Sequence, residues 1–187
     1  MRIISGKFRG KKILEPKDIK TRPLKDLTKE SIFNIINHSK KFNVEIKDAN
    51  ILDLFSGVGS FGLECLSRGA NQVSFVENYR GVLPVLKKNL SSLNTFKKYE
   101  ILEADILNGT YLKNINSKFD IIFLDPPYKY SELEEILINI SDKKILNKNG
   151  IIIIHRHKKE KDEFPINFKI LEEKKYGISK IIFDNLN

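Results

Sequence analysis

Between residues 50 and 155, short apolar runs alternate with segments whose apolar residues recur every three or four positions. The runs predict strands over 51–55, 72–77, 99–103, 118–124 and 151–155. The intervening segments predict helices over 60–68, 80–93 and 133–146, with a less regular helical piece within 107–116. The 118–124 run shows no polar alternation, so both of its faces are covered, and strand–helix alternation over 51–155 implies a parallel sheet built from right-handed crossovers. After residue 160 the pattern changes. Segments 168–176 and 179–184 alternate and flank Tyr176-Gly177, which predicts an antiparallel pair at the sheet edge. The expected architecture is α/β, with a mixed sheet of about seven strands ending in an antiparallel hairpin. Upstream, Leu27, Ile32, Phe33, Ile35 and Ile36 form a helical stripe over 26–41, with Asp26 or Thr28 as its cap. Apolar segments on either side of Gly6-Lys7-Phe8-Arg9-Gly10 predict a small N-terminal β-hairpin whose tip carries Lys7, Phe8 and Arg9.

The chain length of 187 residues suits one domain with a small appendage. A single cysteine, Cys65, rules out an internal disulfide and suits a reducing cytoplasm. Met1 is followed by charge and not by an apolar leader, and no run approaches the roughly 20 residues of a membrane helix. Charge adds what the periodicity leaves open. Residues 1–25 hold nine Lys/Arg against two Asp/Glu, whereas residues 26–154 hold sixteen of each. A basic excess at one end of a neutral domain points to a polyanionic partner such as nucleic acid. Basic residues interleaved with an aromatic can bind phosphate and stack on a base, which makes Arg2, Lys7, Phe8, Arg9, Lys11 and Lys12 candidate contacts. With no obvious exposed apolar patch, the expected state is a monomer.

Two stretches carry candidate chemistry. Phe119–Leu124 is a buried strand that runs into Asp125-Pro126-Pro127-Tyr128. The prolines end the strand and stiffen a corner at its carboxyl end, where open α/β sheets place ligands. The bland reading is a polyproline turn with Tyr128 packed on the surface. Upstream, Asp53-Leu54-Phe55-Ser56-Gly57-Val58-Gly59-Ser60-Phe61-Gly62 reads as strand, glycine turn and helix start. Its glycines fit the dinucleotide pattern, and Glu77 follows where a ribose-binding acid would sit, so an NAD-dependent oxidoreductase is a competitor. S-adenosylmethionine (SAM) is favoured by three further acids at strand ends: Asp53, Asp105 beside Ile106, and Asp125. Carboxylates suit a sulfonium with an amino group and repel a pyrophosphate. Taken singly, Asp53 could cap the turn, Glu77 could be a strand-end charge and Asp105 could start a helix. The three histidines, His38, His155 and His157, show no ligand spacing, so no metal is expected, and His155 reads as structural or solvent-facing.

The chain resembles the class I SAM-dependent methyltransferases, and more closely the RsmD-type enzymes that methylate the exocyclic N2 amine of a guanine in small-subunit (16S) ribosomal RNA. The resemblance rests on Arg2-Ile3-Ile4-Ser5-Gly6 with Arg9-Gly10, Thr21-Arg22-Pro23 before Ser31–Ile36, Leu52–Glu64, Asp125–Tyr128 and Tyr176-Gly177. Leu24 departs from the family pattern, where threonine is more frequent, and so does His155, where an acid is common. The resemblance implies a Rossmann-like methyltransferase domain over 46–187, with a basic hairpin and helix over 1–45 packed on it. It implies SAM as cofactor, held by Asp53, Phe55, Ser56, Gly57, Gly59, Glu77, Asn78, Asp105, Ile106 and Asp125. Asp125, Pro126, Pro127 and Tyr128 are the expected catalytic residues, and Arg22 joins the RNA contacts. Ribosomal RNA, alone or in a small subunit under assembly, is the implied partner. Other readings are an adenine-N6 methyltransferase and an RNA-binding module without catalysis.

Overall fold

The computed structural model describes residues 1–16, 24–93, 98–127 and 131–186. In chain order the elements are α1 (Asp26–His38), β1 (Asn50–Leu54), α2 (Ser60–Ser67), β2 (Gln72–Val76), α3 (Leu83–Ser91), β3 (Tyr99–Leu102), a 3-10 turn (Thr110–Lys113), β4 (Phe119–Leu124), α4 (Leu133–Asp142), β5 (Leu146–His157), β6 (Phe168–Tyr176) and β7 (Ser179–Leu186). They build a seven-stranded sheet in the order β3-β2-β1-β4-β5-β7-β6. The first five strands are parallel, and β7 inserts antiparallel between β5 and β6. Strand order reverses between β1 and β4, so the crevice beyond their carboxyl ends is the switch point where such sheets bind ligands.

Continuous apolarity in β1, β4 and β5 is explained by two cores, one on each face. The first joins Ile51, Phe123, Ile153 and Phe183 to α1, α2 and α3. The second joins Leu52, Leu54, Ile122, Leu124 and Ile152 to α4 and the 3-10 turn. A stack of Phe33, Phe61 and Phe123, with centroids 5.3 and 4.1 Å apart, ties α1 and α2 to β4 just before the Asp125 corner. Among the described residues no helix is long and apolar enough to cross a membrane.

The structure corrects the sequence expectation in three places. The N-terminal segment is not a two-stranded hairpin: its ends share one antiparallel bridge, Arg2 to Lys12. Ile3, Gly10 and Ile13 donate across the segment to the Lys11, Ile3 and Met1 carbonyls, but donors between them are committed elsewhere. The Ile4 and Ser5 N–H groups donate to the buried Glu64 carboxylate at 2.8 and 2.9 Å, and the Lys7 and Phe8 N–H groups donate to Ser67 O and Oγ. Gly6, at φ +82°, lies so close to α2 that a Cβ would sit 2.0 Å from Ser67 O. Packing on α2 therefore interrupts the strand ladder. Helix α1 begins after Lys25, with no side-chain cap, because Thr28 is buried and Asp26 lies within the first turn. Strand β5 begins at Leu146 and not Ile151: Phe119 pairs with Leu146, and a bulge before Ile121 absorbs the polar 147–150 stretch.

Asp184 on β7 is fully buried, and neither carboxylate oxygen has a hydrogen-bond partner. Burial pushes its carboxyl up to about 7 from 3.8; the nearby Lys169 backbone N–H opposes this without closing a bond. Between those pH values the native state keeps a proton that the unfolded chain has released, so Asp184 lowers stability as pH rises through that window. Asp184→Asn is expected to remove this slope. Urea unfolding should show the variant more stable than the parent by about 1–3 kcal/mol at pH 8, with the advantage gone at pH 4.

Candidate active site

The glycine loop leaves β1 through Phe55, which sits at φ +58°. A non-glycine residue in the left-handed region costs roughly 1–2 kcal/mol, a strain typical of functional turns. Gly57 and Gly59 follow at φ +54° and +82°, and a Cβ on Gly59 would meet Leu86 at 2.7 Å. The Ser56 N–H donates to Val76 O, and the Gly59 N–H to Ser56 O. Two acids hold the loop. Asp53, buried beneath it, accepts from the Gly62 N–H at 3.0 Å. Glu77, at the end of β2, accepts from the Gly57 N–H at 2.8 Å and, through its other oxygen, from the Asn78 and Tyr79 N–H groups. Asp53 and Glu77 thus organise the turn itself. Asn89 of α3 adds a clamp that sequence reasoning missed: its amide donates to Val58 O and to Leu14 O, joining the loop to the basic segment.

Burial raises the Asp53 carboxyl well above the carboxylate range; the Gly62 N–H partly offsets this, and the charges of Asp125 and then Glu77 raise it further. Acids at the ends of β2 and β4 thus act on the buried acid of β1 beneath the loop. Asp105 stands after β3, where its carboxylate accepts from the Leu107 N–H at 2.9 Å, and Ile106 is buried beside it. Asn78 is exposed.

At the neighbouring corner the Asp125 N–H reaches Leu54 O at 3.4 Å, which sets the corner against the end of β1. The Asp125 side chain is 15% exposed, and its Oδ1 lies 2.7 Å from His155 Nδ1. The other ring nitrogen lies 2.9 Å from Ser179 Oγ. Pro126 is buried and Pro127 exposed. Arg156 Nη1 donates to Pro127 O at 3.0 Å, while its Nε donates to the buried Asp162 at 2.7 Å. Lys180 completes that group with a 3.1 Å bond to Asp162. His155 is thus neither solvent-facing nor remote. The signal was available: the Ile151–Ile154 run gives way to His155-Arg156 at the carboxyl end of a strand adjoining β4. Tyr128 and Arg22 lie outside the described residues. Among the described residues, no group of three or more His, Cys, Asp or Glu could hold a metal ion.

The basic candidates lie along one segment. Arg2, Lys7, Arg9 and Lys12 are exposed. Phe8 is half-buried against the first core, with the Lys7 ammonium 5.5 Å from its ring centroid. Lys11 donates to Ser92 O at the end of α3.

The family described as Conserved hypothetical protein 95 matches residues 1–184. The chain is 33% identical over 183 residues to a Haemophilus influenzae protein named Ribosomal RNA small subunit methyltransferase D, covering 95% of this chain and 90% of that one. An Escherichia coli protein given provisionally as the methyltransferase yhhF superposes with a TM-score of 0.81 at 29% identity, covering 98% of this chain and 96% of that one. At the level of fold alone, SMU.776, provisionally a methyltransferase and solved with SAH, has a TM-score of 0.61 at 16% identity, covering 84% of this chain and 49% of that one.

The loop geometry makes Gly62 a packing requirement, since a Cβ there would lie 2.3 Å from the Phe75 ring. Gly62→Ala is expected to cost about 1–3 kcal/mol, read as a lowered urea midpoint. An unchanged midpoint would mean that α2 and β2 are less tightly apposed.

Proposed function

The chain belongs to the Conserved hypothetical protein 95 family, the RsmD-type ribosomal RNA methyltransferases of the class I SAM-dependent fold, and on that premise we propose that it methylates the exocyclic N2 amine of a guanine in small-subunit ribosomal RNA. The observation that carries the cofactor assignment is the acidic cradle: Asp53 and Glu77 accept from N–H groups of the glycine loop and Asp125 stands at the neighbouring corner, so groups of like charge gather at one crevice. A cationic sulfonium with an ammonium group relieves that repulsion, and a dinucleotide pyrophosphate would add to it. SAM, when bound, supplies an electrophilic methyl on a positively charged sulfur. Glu77 and Asn78 at the end of β2 would meet its ribose, Asp105 and Ile106 its adenine, and Phe55, Ser56, Gly57 and Gly59 would line its passage over the loop.

Asp125 and the Pro126 carbonyl accept the two amine hydrogens and turn the nitrogen lone pair towards the methyl. This matters because a purine exocyclic amine is a poor nucleophile that needs alignment more than a strong base. As the N–C bond forms and the methyl leaves sulfur with the bonding electrons staying on it, the nitrogen becomes cationic. Asp125 takes one of its protons, and the nitrogen keeps the electron pair. Pro127 stiffens the corner, and Tyr128 stacks on a base drawn out of its helix. Residues 1–45 hold the RNA, with Arg2, Lys7, Arg9, Lys12 and Arg22 on phosphates, Lys11 beside them and the accessible face of Phe8 against a base. The reaction takes place in the cytoplasm, on ribosomal RNA alone or within an assembling small subunit.

Incubation with labelled SAM and small-subunit ribosomal RNA, followed by nucleoside mass spectrometry, is expected to show N2-methylguanosine. N6-methyladenosine would overturn the purine assigned here, and binding of reduced nicotinamide dinucleotide in place of SAM would overturn the reaction class. In the same assay Asp125→Ala should abolish transfer while calorimetry still detects SAM. The exposed positions offer a cleaner test of RNA contact than deleting the segment, because Ile3 and Ile13 belong to the core. Replacing Arg9 and Lys12 together with glutamine should weaken RNA binding and lower its salt slope by about 2, with SAM affinity unchanged.

A further inference from the structure

His155 follows the Ile151–Ile154 run of β5, 4% exposed, with a polar partner on each ring nitrogen. A buried histidine satisfied by two neighbours is commonly a structural feature. Here one neighbour is Asp125, and the direction of the hydrogen bonds follows from its chemistry. An ionised carboxylate has no hydrogen to give, so His155 Nδ1–H must donate to Asp125 Oδ1 across 2.7 Å. In the neutral ring Nε2 is then an acceptor, and the Ser179 hydroxyl donates to it across 2.9 Å. Ser179 is itself buried and opens β7 directly after the turn at Gly177, which sits at φ +56°. The result is a one-way chain of donors, Ser179 to His155 to Asp125, running from the C-terminal hairpin into the candidate active site.

We propose that His155, oriented by Ser179, is a positioning residue that holds Asp125 Oδ1 and so presents the second carboxylate oxygen to the substrate amine. This rests on the reading of Asp125 as the acceptor for that amine. The carboxylate can swing about its last bond, and a charge-assisted hydrogen bond to one oxygen halves its freedom without consuming the other. The same contact gives the C-terminal hairpin a part in catalysis: β7 supplies the hydroxyl that anchors the far side of the ring. Arg156, the next residue, fixes the carbonyl of Pro127, so adjacent residues of β5 restrain both ends of the Asp125–Pro127 corner.

The test compares two amides in the full-length protein. Asparagine at 155 places a donor near the position of Nδ1, whereas glutamine places it near Nε2. His155→Asn should keep kcat within about threefold of the parent, while His155→Gln should lose about 10–100-fold in kcat, with KM for RNA and for SAM moved less than about twofold in both. Ser179→Ala should reduce kcat by an intermediate factor. Equal kcat for the two amide variants, or a loss expressed in KM and not in kcat, would overturn the proposal. Asp125→Ala in the same assay separates the two levels. If it is inactive while the amide variants are alike, only the role of His155 fails; if it is active, the reading of Asp125 fails and this proposal with it.

Discussion

The site depends on one pairing, the parallel register of β1 with β4 that sets Leu54 beside Leu124. Both strands end there, and strand order reverses there, so their following segments part and leave a crevice. From β1 comes the glycine loop; from β4 comes the Asp125-Pro126-Pro127 corner. Apolar packing on both faces holds the register, since a slip by one residue would exchange the residues of the two cores. The aromatic stack through Phe123 anchors β4 two residues before Asp125.

Around that crevice, acids serve two purposes. Asp53 and Glu77 are hydrogen-bonded to the loop they flank, so they shape the backbone, and Glu77 also brings charge to the crevice. Glu64 plays a comparable part behind the loop. Fully buried, it gathers the Ile4 and Ser5 amides and Arg68, with the buried Lys29 ammonium at 3.9 Å. A buried carboxylate is tolerated only when so fully partnered, and its partners come from three different parts of the chain. That places the basic N-terminal segment against α2, and Asn89 joins the same segment to the glycine loop. The proposed RNA surface and the proposed cofactor site are therefore coupled through packed structure and not through a flexible tether.

Periodicity was a good guide wherever burial on a sheet face or helix stripe imposed it. Each parallel strand, the three crossover helices and the final antiparallel pair were legible, with ends shifted by a few residues. The acids at strand ends were legible as positions, and the structure ties Asp53 and Glu77 to the glycine loop. The reading failed where backbone groups found side-chain partners far along the chain. Residues 2–13 read as a hairpin, yet the amides of Ile4, Ser5, Lys7 and Phe8 are drawn to Glu64 and Ser67, about 60 residues away. The contacts of His155 were out of reach for a related reason: its partners, Asp125 and Ser179, are 30 and 24 residues distant.

The sequence by itself determined the alternation of strand and helix, the glycine turn, the acids at successive strand ends and the basic N-terminus, because each is a local pattern with a local physical cause. Tertiary structure decided which acids face one another, that Asp53 lies beneath the loop with its ionisation opposed, and that His155 belongs to the Asp125 corner. It also decided that the N-terminal segment is a packed strap on α2. These outcomes follow from burial and from hydrogen bonds between distant residues, which no one-dimensional pattern encodes.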